Sequence, residues 1–245
     1  METIREKKVA LLRKEILSLQ GLDRPLAEGA PLIPLGGMLD HMPGGIFPTG
    51  AVHEFLSADP EALAAAHGFT GGMLHLLMQS GKPCLWVGAC RTLFPPGMRR
   101  FGLDPDRFLF VEGIGEKEAL WTLEEALKCK ALCAVIGEVR ELDFIQSRRL
   151  QLAVEESRVT AFIHRLSGRP PQPTASVARW QIRPACSQPA AGLPGLGLPR
   201  WQVELLKIRN GRPGCWELQW EGGAFRFPEQ PIEKQWDGLR KTGSA

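Results

Sequence analysis

No stretch of this 245-residue chain approaches the ~20 consecutive apolar residues that cross a bilayer, so a spanning helix is not expected. The first residues, Met1-Glu-Thr-Ile-Arg5, are charged and lack the apolar core and cleavage site of a secretory signal, which makes the cytoplasm the expected compartment. None of the six cysteines (Cys84, Cys90, Cys129, Cys133, Cys186, Cys215) forms a C-x-x-C pair, and their spacings match no common zinc framework. In a reducing compartment they read as small buried hydrophobes. A net charge of only +3 excludes a polycation, so any affinity for nucleic acid must come from a local patch. No nucleophile, histidine and acid stand in a recognisable local motif. His67 and His75 are eight residues apart without a third metal ligand. Catalysis and metal binding have little to rest on, and no internal repeat is present.

What remains is an ordinary soluble composition, 44% hydrophobic and 23% charged, on a chain long enough for one substantial core. Residues 2–20 place Ile4, Leu11, Leu12, Ile16 and Leu19 at helical spacing, and Gly21 ends that helix. A Pro/Gly-rich stretch follows to Gly50, so residues 1–22 read as an N-terminal helix tethered by a linker over 23–49. Strands and helices then alternate. Strands are predicted at 51–56, 82–88, 107–112, 131–139 and 159–164, with helices at 59–79, 94–101, 116–130 and 143–157. Apolar strands separated by helices indicate an α/β fold, a mostly parallel sheet covered by helices on both faces. After the breaker cluster Gly168-Arg-Pro-Pro-Gln-Pro-Thr174, three period-2 segments (177–183, 201–209, 215–220) predict a C-terminal antiparallel extension. Asn210-Gly211 marks the hairpin between the last two. Residues 50–227 therefore form the core, and 228–245 a polar, flexible tail.

The first strand and helix carry the most telling deficit. A phosphate loop between such elements needs glycines to turn backbone N–H groups inward, a lysine for charge, and a Ser/Thr for Mg²⁺. Here Ser57-Ala-Asp-Pro-Glu-Ala-Leu63 has no glycine, no lysine and two acids, Asp59 and Glu61. Carboxylates at a helix N-terminus repel the phosphate that the helix would otherwise attract. This slot (Ser57, Asp59, Glu61) is read as degenerate, with no nucleotide cofactor.

The order of elements, with Pro43-Gly-Gly-Ile-Phe-Pro-Thr-Gly50 leading into the first strand, is similar to the RecA core. The ordered set His53-Glu54, Leu85-Trp-Val87, Gly102-Leu-Asp-Pro-Asp-Arg107, Ala119-Leu-Trp-Thr-Leu-Glu-Glu-Ala126, Ser147-Arg-Arg-Leu-Gln-Leu-Ala153 and Arg200 to Trp216 more specifically resembles the ImuA family, RecA-like accessory proteins of bacterial mutagenic translesion synthesis. The RecA resemblance implies a catalytic Glu near position 90, where Cys90 stands. It implies a Walker-B Asp near Gly137, with Glu138 one residue late and so turned to the opposite face. The polar sensor at the end of the next strand becomes His164-Arg165. The expectation is a RecA-like fold without ATP hydrolysis. The family resemblance implies an adaptor of SOS mutagenesis, linking an ImuB-like Y-family polymerase homologue and an error-prone DnaE-type polymerase, with RecA, to damaged DNA. The alternatives are a RecA-like ATPase with an atypical phosphate site, or a SulA-type inhibitor of cell division.

Two sets of binding residues follow. Arg165, Arg169, Arg179, Arg183, Arg200, Lys207, Arg209 and Arg212 share a window with a single acid, Glu204, and with Trp180 and Trp201. Basic side chains interleaved with aromatic platforms suit single-stranded DNA; a solvated sheet face with core tryptophans is the alternative. Ile4, Leu11, Leu12 and Ile16 on the first helix, and Ile232 and Trp236 in the tail, are the candidate contacts to partner proteins; a helix folded back on its own domain and an inert tail are the alternatives.

Overall fold

The computed structural model describes Lys8, Leu12 and residues 32–89, 92–166, 172–187 and 197–228. The expected helix over 2–20 and tail 228–245 lie almost wholly outside these residues. One continuous nine-stranded sheet forms the centre, in the order β3-β2-β4-β5-β1-β6-β7-β8-β9. Six strands, β1 (Val52–Ser57), β2 (Cys84–Val87), β3 (Phe108–Val111), β4 (Ala134–Val139), β5 (Thr160–Leu166) and β6 (Ala178–Ala185), run parallel. β7 (Arg200–Ile208), β8 (Gly214–Glu221) and the three-residue β9 (Ala224–Arg226) continue them antiparallel. The period-2 segment at 177–183 thus closes the parallel part before the antiparallel extension starts.

Among the described residues three helices cover the sheet. Helix α1 (Pro60–Leu77) packs on β1, β5 and β6 on one face, while α2 (Glu116–Leu127) and α3 (Phe144–Ser157) pack on the other. Each start has a local cause. Asp59 caps α1, with Pro60 in the first turn, where its missing N–H costs nothing. Asp143 and Gln146 bond reciprocally across the first turn of α3. The expected helix over 94–101 is a short 3-10 turn, Pro95–Phe101. At the β7–β8 hairpin Asn210 takes φ 60°, the left-handed conformation that Asn tolerates.

Two cores result. The larger joins α1 (Phe69, Met73, Leu74) to the inward faces of β6–β9 through Trp180, Trp201, Trp220 and Phe225. The smaller lies under α2 and α3, with Leu123, Leu127, Val135 and Val154 fully buried. The stretch read as a linker over 23–49 is not free of the core where it is described. Ile33, Leu35, Met38, Met42 and Phe47 are buried in the larger core, and two short 3-10 turns, Gly36–His41 and Pro43–Gly45, position them. Their irregular spacing follows those turns, so neither helix nor strand periodicity detects it.

Candidate functional site

In open α/β sheets ligands lie beyond the carboxyl ends of the strands. At that end β1 stops at Ser57 and α1 starts at Pro60, leaving a connection of two residues, Ala58 and Asp59. Two residues cannot wrap a phosphate group. Asp59 is extended, and its Oδ1 accepts the Ala62 N–H at 2.7 Å. One of the backbone donors at this helix terminus, the Ala62 N–H, is therefore met by a carboxylate of the chain itself. Glu61 adds a second negative charge to the same turn.

The next two corners differ in a related way. A Cβ at Gly137 would sit 2.6 Å from Leu123 of α2, so packing against that helix fills the position where a metal-holding Asp was expected. Glu138 points to the other face, as the pleat requires. Trp86 Nε1 donates to its Oε1 at 2.7 Å, and the Thr92 hydroxyl donates to the same oxygen. Burial raises the Glu138 carboxyl above its ordinary range, and those two donors hold it down. His67 Nε2 lies 3.4 Å from the carboxylate but out of hydrogen-bonding alignment. His164 stacks on Phe55 and Trp86, and its Nε2 is 3.2 Å from the Thr70 hydroxyl oxygen. Burial lowers His67 to about 4 and His164 well below its ordinary value. Both imidazoles are neutral at pH 7 and add no positive charge to this corner. Cys90 lies outside the described residues.

Within the basic window the tryptophans and the cations fall on opposite faces of the sheet. Arg179 and Trp180, and likewise Arg200 and Trp201, are neighbours on a strand, so each pair points to opposite faces. The tryptophans turn inward: Trp180 is 0% and Trp201 3% exposed, and Trp180 Nε1 donates to His53 Nδ1 at 3.3 Å. Neither can stack on a nucleobase. The outward side chains bind the chain itself. Glu54, fully buried, accepts from Arg165 Nη1 at 2.5 Å, Arg179 Nε at 3.0 Å and the Thr174 hydroxyl at 2.7 Å. Residues 172–177, which lead into β6, are not helical, and backbone oxygens among them are met by these cations. Arg179 donates to Gln172, Lys207 to Thr174 at 3.2 Å, and Arg209 to Ala175 at 2.9 Å. Arg200 is buried near Glu217. Desolvation, with Arg179 and Arg209 close by, lowers the Lys207 pKa. Arg183 and Arg212 are exposed, and Arg212 Nη2 donates to Asp40 O at 3.4 Å. Arg169 lies outside the described residues, as do Ile4, Leu11, Ile16, Ile232 and Trp236. Leu12 is helical and exposed.

Sequence reasoning did not single out Glu54 as an organiser; its signal was an acid inside an otherwise apolar strand. Arg148 and Arg149 read as the charged face of a helix, but the sequence does not show the groove of about 220 Å³ between α2 and α3, lined by Trp121, Leu120, Lys117, Glu124, Arg149 and Leu150, among others.

These features define an α/β fold with a mostly parallel sheet and a C-terminal antiparallel extension, in which Asp59 caps the helix that follows β1. The chain is 37% identical over 189 residues to Protein ImuA of Caulobacter vibrioides, in each of two strains, an alignment covering 72% of this chain and 78% of the relative. It belongs to the ImuA family. No protein-family model matches it. Among the described residues no helix is long and apolar enough to cross a membrane.

Proposed function

We propose that this chain is a non-catalytic adaptor of error-prone translesion DNA synthesis in the cytoplasm. It links an ImuB-like Y-family polymerase homologue and an error-prone DnaE-type polymerase, with RecA, at damaged DNA. Membership of the ImuA family supports the system. The observation that carries the non-catalytic reading is the two-residue β1–α1 connection, whose helix terminus is occupied by Asp59. Phosphoryl transfer depends on cations and backbone donors placed around the γ-phosphate. Around the phosphate corner Asp59 and Glu61 bring carboxylates, and His67 and His164 are neutral.

The buried tryptophans and the engaged Arg165, Arg179, Lys207 and Arg209 favour DNA contact through the partners rather than through this sheet. Co-purification of the full chain with the ImuB-like and DnaE-type proteins tests the reading. A stable complex without added nucleotide is expected. A chain that ignores both partners, or that releases phosphate from ATP above background, overturns it.

A further inference from the structure

One face of α3 points away from the sheet with a pattern that the fold does not use. Phe144, Ile145 and Leu152 are 57%, 72% and 49% exposed. Arg148 and Arg149 share this face toward its start, and Glu155 and Glu156 share it at its end, all four exposed. At 3.6 residues per turn these positions fall within an arc of about 140° centred on Leu152.

We propose that this face binds the same face of a second copy, α3 against α3, antiparallel about a two-fold axis through Leu152. The spacing supplies the argument. Arg148 stands four residues before Leu152 and Glu155 three after it; Arg149 stands three before and Glu156 four after. Arg148 and Glu155 lie on one flank of the stripe, Arg149 and Glu156 on the other. The rotation therefore sets Leu152 on Leu152, Arg148 against Glu155 of the second copy, and Arg149 against Glu156 of that copy, each twice. An isologous contact requires this self-complementarity, which binding to an unrelated surface would not. The charges are available for exchange. Arg148 Nη1 reaches Glu155 Oε1 of its own chain at 3.6 Å in an exposed pair that binds weakly, and Arg149 is itself exposed although its Nη2 also reaches the largely buried Glu124 at 2.6 Å. The adjoining groove, with Leu120 and Leu150 at its base and Trp121 at its rim, extends the apolar contact beyond one helix.

Sedimentation equilibrium of the full chain at concentrations up to ~200 µM detects a dimer of micromolar affinity. The wild type is expected to move from monomer to dimer mass as concentration rises. Two variants, R148E/R149E and E155R/E156R, should each stay monomeric, because like charges then face each other. Mixed in equal amounts they should recover the dimer, since each supplies the charge that the other lacks. That recovery separates loss of the interface from loss of the fold, and circular dichroism of each variant alone confirms native helix content. A wild type that is monomeric throughout, a dimer that survives both reversals, or a mixture that stays monomeric overturns the proposal.

Discussion

Replacing Glu54 by Gln tests whether the basic window is structural. The carboxylate is fully buried and holds two guanidiniums, Arg165 at 2.5 Å and Arg179 at 3.0 Å, together with the Thr174 hydroxyl. A glutamine of nearly the same shape keeps the packing but leaves two cations without a counter-charge. Arg179 retains Gln172 O and Thr174, while Arg165, whose side chain is 6% exposed, loses its ion-pair partner. Breaking a buried pair from one side costs about 3–5 kcal/mol. At ~2–4 °C per kcal/mol for a domain of this size, the melting temperature should fall by roughly 6–20 °C. Urea and thermal unfolding followed by tryptophan fluorescence measure this, because Trp180 sits beside Arg179 on β6. Arg183→Ala is the control, expected within about 0.5 kcal/mol of wild type because the residue is exposed. If E54Q costs under 1 kcal/mol, or less than the control, the buried network does not hold the crossover and the reasoning fails.

Stability should fall in mild acid. Burial lowers His53 and His67 from 6.5 to about 4, so below pH 6.5 the unfolded chain binds protons that the native chain refuses. Stability is then fully present above pH 6.5 and declines as pH drops toward 4, by about 2 kcal/mol per histidine at pH 5. The raised Glu138 acts in the opposite sense, being relieved as it protonates, so the net slope should be somewhat shallower. Melting temperature against pH reads the sum; a flat profile between pH 7 and 5 contradicts it. Asp59→Ala removes the side-chain cap of α1 and should cost about 1 kcal/mol by urea denaturation. Gly137→Ala places a Cβ 2.6 Å from Leu123 and should cost about 1–3 kcal/mol, with Gly137→Asp markedly worse because a carboxylate joins the overpacked site.

Much of the fold is readable from local chemistry. Asp59-Pro60 announces the start of α1, the apolar runs at 131–139 and 159–164 announce central strands, and Asn210-Gly211 announces a hairpin. The Asp59 cap on the short β1–α1 connection is also readable, since an acid followed by Pro60 stands at the start of the helix. The burial of Trp180 and Trp201 beneath the basic window is not legible in the sequence, for a physical reason. Counting charge along the chain ignores the pleat, which sends Arg179 and Trp180 to opposite faces as surely as it does His53 and Glu54. The partner of each cation is a tertiary fact. Nothing near Lys207 in sequence shows that Thr174 O lies 3.2 Å from its ammonium group. Ile33, Leu35 and Met38 were hidden by the glycines and prolines around them, and β9 by its three-residue length.

The central claim is that the phosphate corner is closed by the chain's own carboxylate. Titrating Mg·ATP into the full chain in a calorimeter measures this most directly. The account predicts no saturable heat at micromolar or millimolar nucleotide. A saturable isotherm that disappears on adding charge at Ala58, in an Ala58→Glu variant, would place ATP against Asp59 and contradict it.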